Sequence, residues 1–123
     1  LLGTEWGFTH DILAQGGEAV DGALFVQKVD LADASPRYVR FRDAYQARFH
    51  RPVDFAAVLS YEAVEVLAAA LRRDATREGV RRAVLEIGTF HGLQGDFRID
   101  RFGDVQRRHF VTTLRNGRMS ILE

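Results

Sequence analysis

Four histidines, His10, His50, His91 and His109, are the first places to look for acid–base or metal chemistry, because imidazole titrates near neutral pH and ligates transition metals. They lie far apart, with neither a His-Glu-x-x-His motif nor an i, i+4 pair that would set two rings on one helix face. His10-Asp11 and His91 could meet only through the fold, and two imidazoles alone are a poor metal site. The chain has no cysteine, which excludes disulfides and thiolate-held metals. Ser35, Ser60 and Ser120 lack the strand–turn–helix setting of a nucleophile elbow, and Ser60 falls inside a helical pattern. Gly92-x-x-Gly95 reads as a strand-entry turn rather than a phosphate loop, since no helix N-terminus follows to receive an anion. The basic pairs Arg72-Arg73, Arg81-Arg82 and Arg107-Arg108 alternate with Asp74, Glu78, Glu86 and Asp104, the pattern of solvated faces rather than of a nucleic-acid surface. The expectation is therefore no enzyme, no catalytic residue, no metal and no cofactor. Glu5-Trp6 remains, a carboxylate next to an aromatic after a short apolar run; by residue type alone these read as a solvated loop acid and a packing residue.

Composition agrees. Seventeen basic residues balance seventeen acidic ones, so no global field draws the chain to nucleic acid or an anionic membrane. No apolar run reaches the length of a membrane-spanning helix. At 123 residues there is room for one domain with a modest core. The chain opens without an initiator Met, a basic n-region or a cleavage-site pattern, so no signal peptide is expected within it.

The elements that must position these residues follow from their patterning. Leu1-Leu2-Gly3 reads as the end of a buried strand, Phe8 to Gln15 as a short helix with Thr9 as N-cap and Gly16-Gly17 as its stop, and Ala23 to Lys28 as a strand. Ser35-Pro36 opens a helix to about Phe49, with Ser as N-cap and Pro at the first helical position. Its Tyr38, Phe41, Tyr45 and Phe49 share one face and are expected in the core, and Pro52 marks its end. Asp54 caps a helix to Arg73 whose Val58, Leu59, Ala63, Val66, Leu67, Ala70 and Leu71 make a wide apolar face, with Tyr61 expected as a packed or hydrogen-bonded core tyrosine. Thr76 caps a third helix that ends at Gly88. After Gly92 and Gly95 come an alternating segment, Phe97-Arg98-Ile99-Asp100, a tight Arg101-Phe102-Gly103-Asp104 turn, a further strand, an Asn116-Gly117 hairpin turn and a closing strand.

The plan is α/β: β-α-β, then helices, then a terminal β-hairpin. Its opening strands have too few neighbours for the doubly covered sheet they are written for. The chain thus reads as part of a larger two-lobed protein, incomplete by itself.

Three motifs, in order, carry a resemblance. The last third contains Gly92-x-x-Gly95-x-Phe97-x-Ile99-Asp100-x-x-Gly103-Asp104 followed by the hairpin. The opening ends a strand in Gly3-Thr4-Glu5-Trp6 and leads through the Gly17-Glu18-Ala19-Val20-Asp21-Gly22 turn into the next strand. The centre sets Phe41, Tyr45, Phe49 and Pro52 before Tyr61-Glu62-Ala63, with His50 where Gly is commoner. Together they resemble the C-terminal portion of the type I periplasmic binding proteins, within them most closely the branched-chain amino acid branch that feeds ABC importers.

That resemblance implies a solute-binding protein that closes two lobes around a small ligand, without catalysis. Residues 1–28 would end the C-terminal lobe with a ligand-facing loop, 29–90 would form a helical part returning to the N-terminal lobe, and 91–123 would hold a hinge crossing and the hairpin. Crossings between lobes are expected near Gln27 to Val29 and near Phe90 to Gly95. Glu5 stands where family members receive a ligand α-ammonium on a carboxylate, Trp6 would wall the pocket or face the ammonium through its ring, and Phe55 and Ala56 match a segment lining the cleft. Implied partners are an amino-acid ligand, a membrane ABC permease and the N-terminal part of the same protein, in the periplasm or outside the cell. A sensor role in a signalling receptor, or an amide- or aromatic-acid-binding relative, keeps the fold; a self-associating domain, forming a homodimer or strand swap, is the reading from a different class.

Overall fold

In the computed structural model, which describes residues 1–7 and 10–122 and only the backbone of residues 10, 11 and 13, the chain forms two units, Leu1–Asp30 with His109–Glu123, and Leu31–Arg108. The first holds a four-stranded mixed sheet. Strand β1 (Leu2–Thr4) runs parallel to β2 (Leu24–Gln27), and β2 pairs antiparallel with a strand from the far end of the sequence, Phe110–Arg115. That strand continues through an Asn116-Gly117 turn into Arg118–Leu122. Helix α1 (His10–Gln15) lies between β1 and β2; the expected cap, Thr9, is outside the described residues.

The core of this unit is small. Ala23, Phe25 and Leu114 are buried, with Ile12, Val20 and Met119 packed round them. Full burial of Phe25 contributes on the order of 2–3 kcal/mol. Leu1 and Leu2, expected at the end of a buried strand, are 77% and 75% exposed in this chain, in which β1 has β2 as its one hydrogen-bonded neighbour among the described residues.

The second unit begins with α2 (Pro36–Phe49), α3 (Phe55–Arg73) and α4 (Arg77–Ile87). The Asp54 carboxylate accepts from Ala57 N (2.8 Å) and the Thr76 hydroxyl accepts from Gly79 N (3.1 Å), each satisfying a helix-end donor that would otherwise be orphaned and stabilising by about 1 kcal/mol. Ser35 differs from expectation. It makes no side-chain cap; its hydroxyl donates to the Leu93 carbonyl (3.3 Å), leaving Pro36 to start the helix by its fixed φ. α2 stops at His50, two residues before Pro52, where the backbone turns left-handed at φ 53°.

After α4, β3 (Thr89–Gly92), β4 (Gly95–Ile99) and β5 (Val105–Gln106) form a three-stranded antiparallel sheet, and the two strands in the first unit's hairpin are thus β6 (Phe110–Arg115) and β7 (Arg118–Leu122). Gly92 pairs with Gly95 across a two-residue connection, so the glycines close a hairpin within this unit. The chain accordingly passes between units at Asp30–Leu31 and Arg108–His109, the second passage later than Phe90 to Gly95. The Arg101–Asp104 turn is held by Asp100, whose carboxylate accepts from Phe102 N (2.9 Å) and Asp104 N (3.0 Å).

The aromatic stripe of α2 is corrected in part. Tyr38 is buried, but Phe41 and Tyr45 are half-buried and Phe49 is exposed. Tyr61 packs on Phe41, ring centroids 4.8 Å apart, yet keeps an exposed flank. With Val64, Leu67 and Leu71 it forms a bare stripe on α3, because burial on this helix is confined to Val58, Glu62 and Ala70 and to their neighbours.

Candidate functional site

Two parallel strands that lie side by side deliver their C-terminal ends to one edge of a sheet, the edge at which α/β proteins build ligand sites. Here Thr4 is in register with Val26, so the residues that follow, Glu5 after β1 and Lys28 after β2, emerge at the same edge. A single 3₁₀ turn, Glu5–Gly7, takes the chain off β1 and turns the Glu5 side chain inward.

Glu5 is 3% exposed, far from the solvated loop acid of its residue type. Its charge is met twice by one residue. Oε1 lies 3.0 Å from Lys28 Nζ, and Oε2 accepts from Lys28 N at 3.0 Å. Burying a carboxylate without such partners would be costly. The Lys28 side chain is 43% exposed where that of Glu5 is 5%, so the acid is sealed and the base is its outer face.

Trp6, one residue on, is 73% exposed. It is not a packing residue of the core, and its ring stands at the surface of the same turn. Phe55 and Ala56 form the first turn of α3, half-buried and exposed respectively, with the Asp54 cap before them. They belong to the second unit, Glu5 and Trp6 to the first. Lys28 was missed from sequence; the one signal was a lone cation directly after the apolar alternation of β2, the mirror of Glu5 after β1.

The second unit gathers charge of its own. A cavity of about 420 Å³ is bordered by Arg37, Glu62, Glu65, Arg72, Phe90 and His91 among others. Both acids are engaged: the two Glu65 oxygens accept from Arg37 Nη2 at 2.7 Å each, and Glu62 accepts from Arg107 Nη1 (2.6 Å) and Leu93 N (2.8 Å). His91 pairs with Asp96 at 2.7 Å on the surface. Among the described residues no group of three or more His, Asp or Glu side chains is placed to hold a metal ion, and no helix is long and apolar enough to cross a membrane. The side chain of His10 lies outside the described residues.

Comparison with known proteins gives a family. The family described as periplasmic binding protein matches residues 1–118. Among solved structures, a leucine-binding protein, LivK, from Thermotoga maritima is 26% identical with a TM-score of 0.84, covering 99% of this chain and 36% of that one. The branched-chain amino acid transporter substrate-binding protein LivJ of Streptococcus pneumoniae, in complex with isoleucine, is 18% identical with a TM-score of 0.82, over 98% and 36% of the two chains. A solute-binding protein of an ABC transporter from R. palustris, in complex with benzoate, is 22% identical with a TM-score of 0.75, over 93% and 32%. The chain thus spans about a third of the length of these structures, and its mixed α/β plan matches that share of a two-lobed fold. No curated protein matches it.

Proposed function

From a chain that belongs to the periplasmic binding protein family, we propose a solute-binding component of an ABC importer whose ligand is a branched-chain or related amino acid. The observation that carries this reading is Glu5, a buried carboxylate at the C-terminal edge of two parallel strands that already holds a primary ammonium at 3.0 Å. A free amino acid needs just such an acceptor for its α-ammonium. Trp6 offers an exposed ring on the same turn for the ligand's side chain or for its cation. Phe55 and Ala56 would line the cleft from the start of α3.

The whole protein would work outside the cytoplasm, close two lobes on its ligand and hand it to a membrane permease. It would catalyse nothing and need no cofactor. In this reading residues 1–28 supply the end of the C-terminal lobe and its ligand loop, 29–90 the helical return, and 91–123 the last crossing and the hairpin. Solute-binding relatives of this fold include one in complex with benzoate, which has no ammonium, so ligand class is the point to test.

The test is calorimetric titration of L-leucine, L-valine, L-phenylalanine and benzoate into the native full-length protein and its Glu5→Gln variant. Micromolar or tighter binding of an amino acid, lost in the variant, is the expected result. Binding of benzoate alone, unaffected by Glu5→Gln, overturns the amino-acid reading.

A further inference from the structure

We propose that Lys28 is a built-in competitor at the ammonium subsite: its Nζ occupies the place on Glu5 that a ligand's ammonium takes, and the ligand binds by exchange with it. The inference rests on Glu5 being the ammonium acceptor.

The geometry leaves exchange as the open route. Glu5 Oε2 is engaged by the backbone N–H of Lys28 at 3.0 Å, a donor fixed by the end of β2. Oε1 is engaged by the Lys28 ammonium at 3.0 Å. The acid's side chain is 5% exposed, so a further donor has little room to reach it from solvent. Lys28 is the movable member. Its ammonium sits on a four-carbon stem with several rotatable bonds, and its side chain is 43% exposed. A second ammonium approaching the intact pair would meet a like charge at contact range, whereas one that replaces Nζ inherits a buried, hydrogen-bonded carboxylate. Fixed backbone donor and mobile side-chain donor together make a latch that any primary ammonium can open.

Lys28 therefore sets affinity and ligand class. A ligand bearing an ammonium offsets the contact it breaks; a simple carboxylate has nothing to give Glu5 in exchange. The resting protein in turn avoids a buried, unpaired acid, which would be costly.

The experiment is titration of L-leucine into the native full-length protein, Lys28→Met and Lys28→Gln, with thermal unfolding of each in the absence and presence of leucine. Lys28→Met is expected to bind leucine about tenfold more tightly, the gain from no longer breaking one charge-assisted contact. It should also melt lower without leucine and gain more from it. Lys28→Gln, whose amide still donates to Glu5 and so guards against loss of folding, should bind leucine with a smaller gain. Unchanged or weaker leucine binding by both variants, with the native protein binding normally, overturns the competitor role and leaves the ammonium-acceptor reading standing. No leucine binding by the native protein or either variant removes that reading, and this inference with it.

Discussion

Glu62 on α3 and Arg107, 45 positions later, form an ion pair at 2.6 Å in which neither side chain is more than 9% exposed. The same carboxylate accepts from Leu93 N at 2.8 Å, and the Arg107 guanidinium lies 5.5 Å over the Phe97 ring. One acid thus ties the helix to the β3–β4 connection and to the segment after β5. Gly92 is part of the arrangement. A Cβ there would stand 2.6 Å from Glu62 Oε1 and 2.7 Å from the Gly95 carbonyl oxygen, so only glycine lets the hairpin close over the pair.

Breaking that pair on one side should be expensive. Arg107→Ala leaves a buried charge without its partner and is expected to cost about 3–5 kcal/mol. Glu62→Gln with Arg107→Met should recover part of the loss. Urea-unfolding midpoints of the native protein and the variants measure both, and an Arg107→Ala midpoint equal to that of the native protein would show the pair to be inert.

In the first unit the analogous device is neutral. Gln27 Nε2 donates to Thr112 Oγ1 (2.9 Å) and contacts Met119 Sδ (3.1 Å), while the Thr112 hydroxyl donates to the Phe25 carbonyl (3.3 Å), with Gln27 and Thr112 both 2% exposed. Thr112→Val keeps the shape and removes the acceptor. A loss of about 1–3 kcal/mol is expected for the stranded amide, with Gln27→Leu added in the same chain restoring part of it, again read from unfolding midpoints.

Two left-handed residues should respond in opposite directions. Gly117 at φ 69° is the second central residue of the β6–β7 turn after Asn116 at φ 51°, the backbone of a type I′ turn. Gly117→Ala is expected to cost about 1 kcal/mol, and His50→Gly, at φ 53° on the C-terminal end of α2, to stabilise by up to about 1 kcal/mol. Thermal midpoints of the two variants should straddle that of the native protein.

Asp74 gives the pH dependence. Hydrogen bonds from the Thr76 hydroxyl and backbone N–H, with a smaller contribution from the Arg82 guanidinium, hold its carboxyl below the ordinary value of 3.8. A folded-state pKa lowered in this way contributes stability that is fully present above the unfolded value and is lost as the pH falls through the folded one. Asp74→Asn should therefore be less stable than the native protein at neutral pH, and the difference should shrink to nothing in acid below that window. A difference that stays constant from pH 7 to pH 2 would rule out the ionised carboxylate as its source.

Local chemistry made much of this chain legible from sequence. Asp54 and Thr76 cap the helices they were expected to cap, Gly88 ends α4 and Asn116-Gly117 turns the last hairpin, because each acts on backbone groups within a few residues of itself. The family, too, was readable, since its three motifs are short and ordered along the chain. Local pattern does not encode which side of an element will be covered, so Leu1, Leu2 and Phe49 were expected inside and stand exposed, and Tyr61 packs on Phe41 with one flank bare. Nor does it encode partners far apart in sequence. The pairing of β2 with β6 joins residues such as Leu24 and Thr113, and β3 was hidden in what read as a strand entry. Glu5 was singled out by the motif around it, but its burial and its pairing depend on Lys28, 23 residues on. Two parallel strands had to lie in register before a buried acid and its ammonium could meet at one edge; that is a property of the assembled sheet and of no single segment.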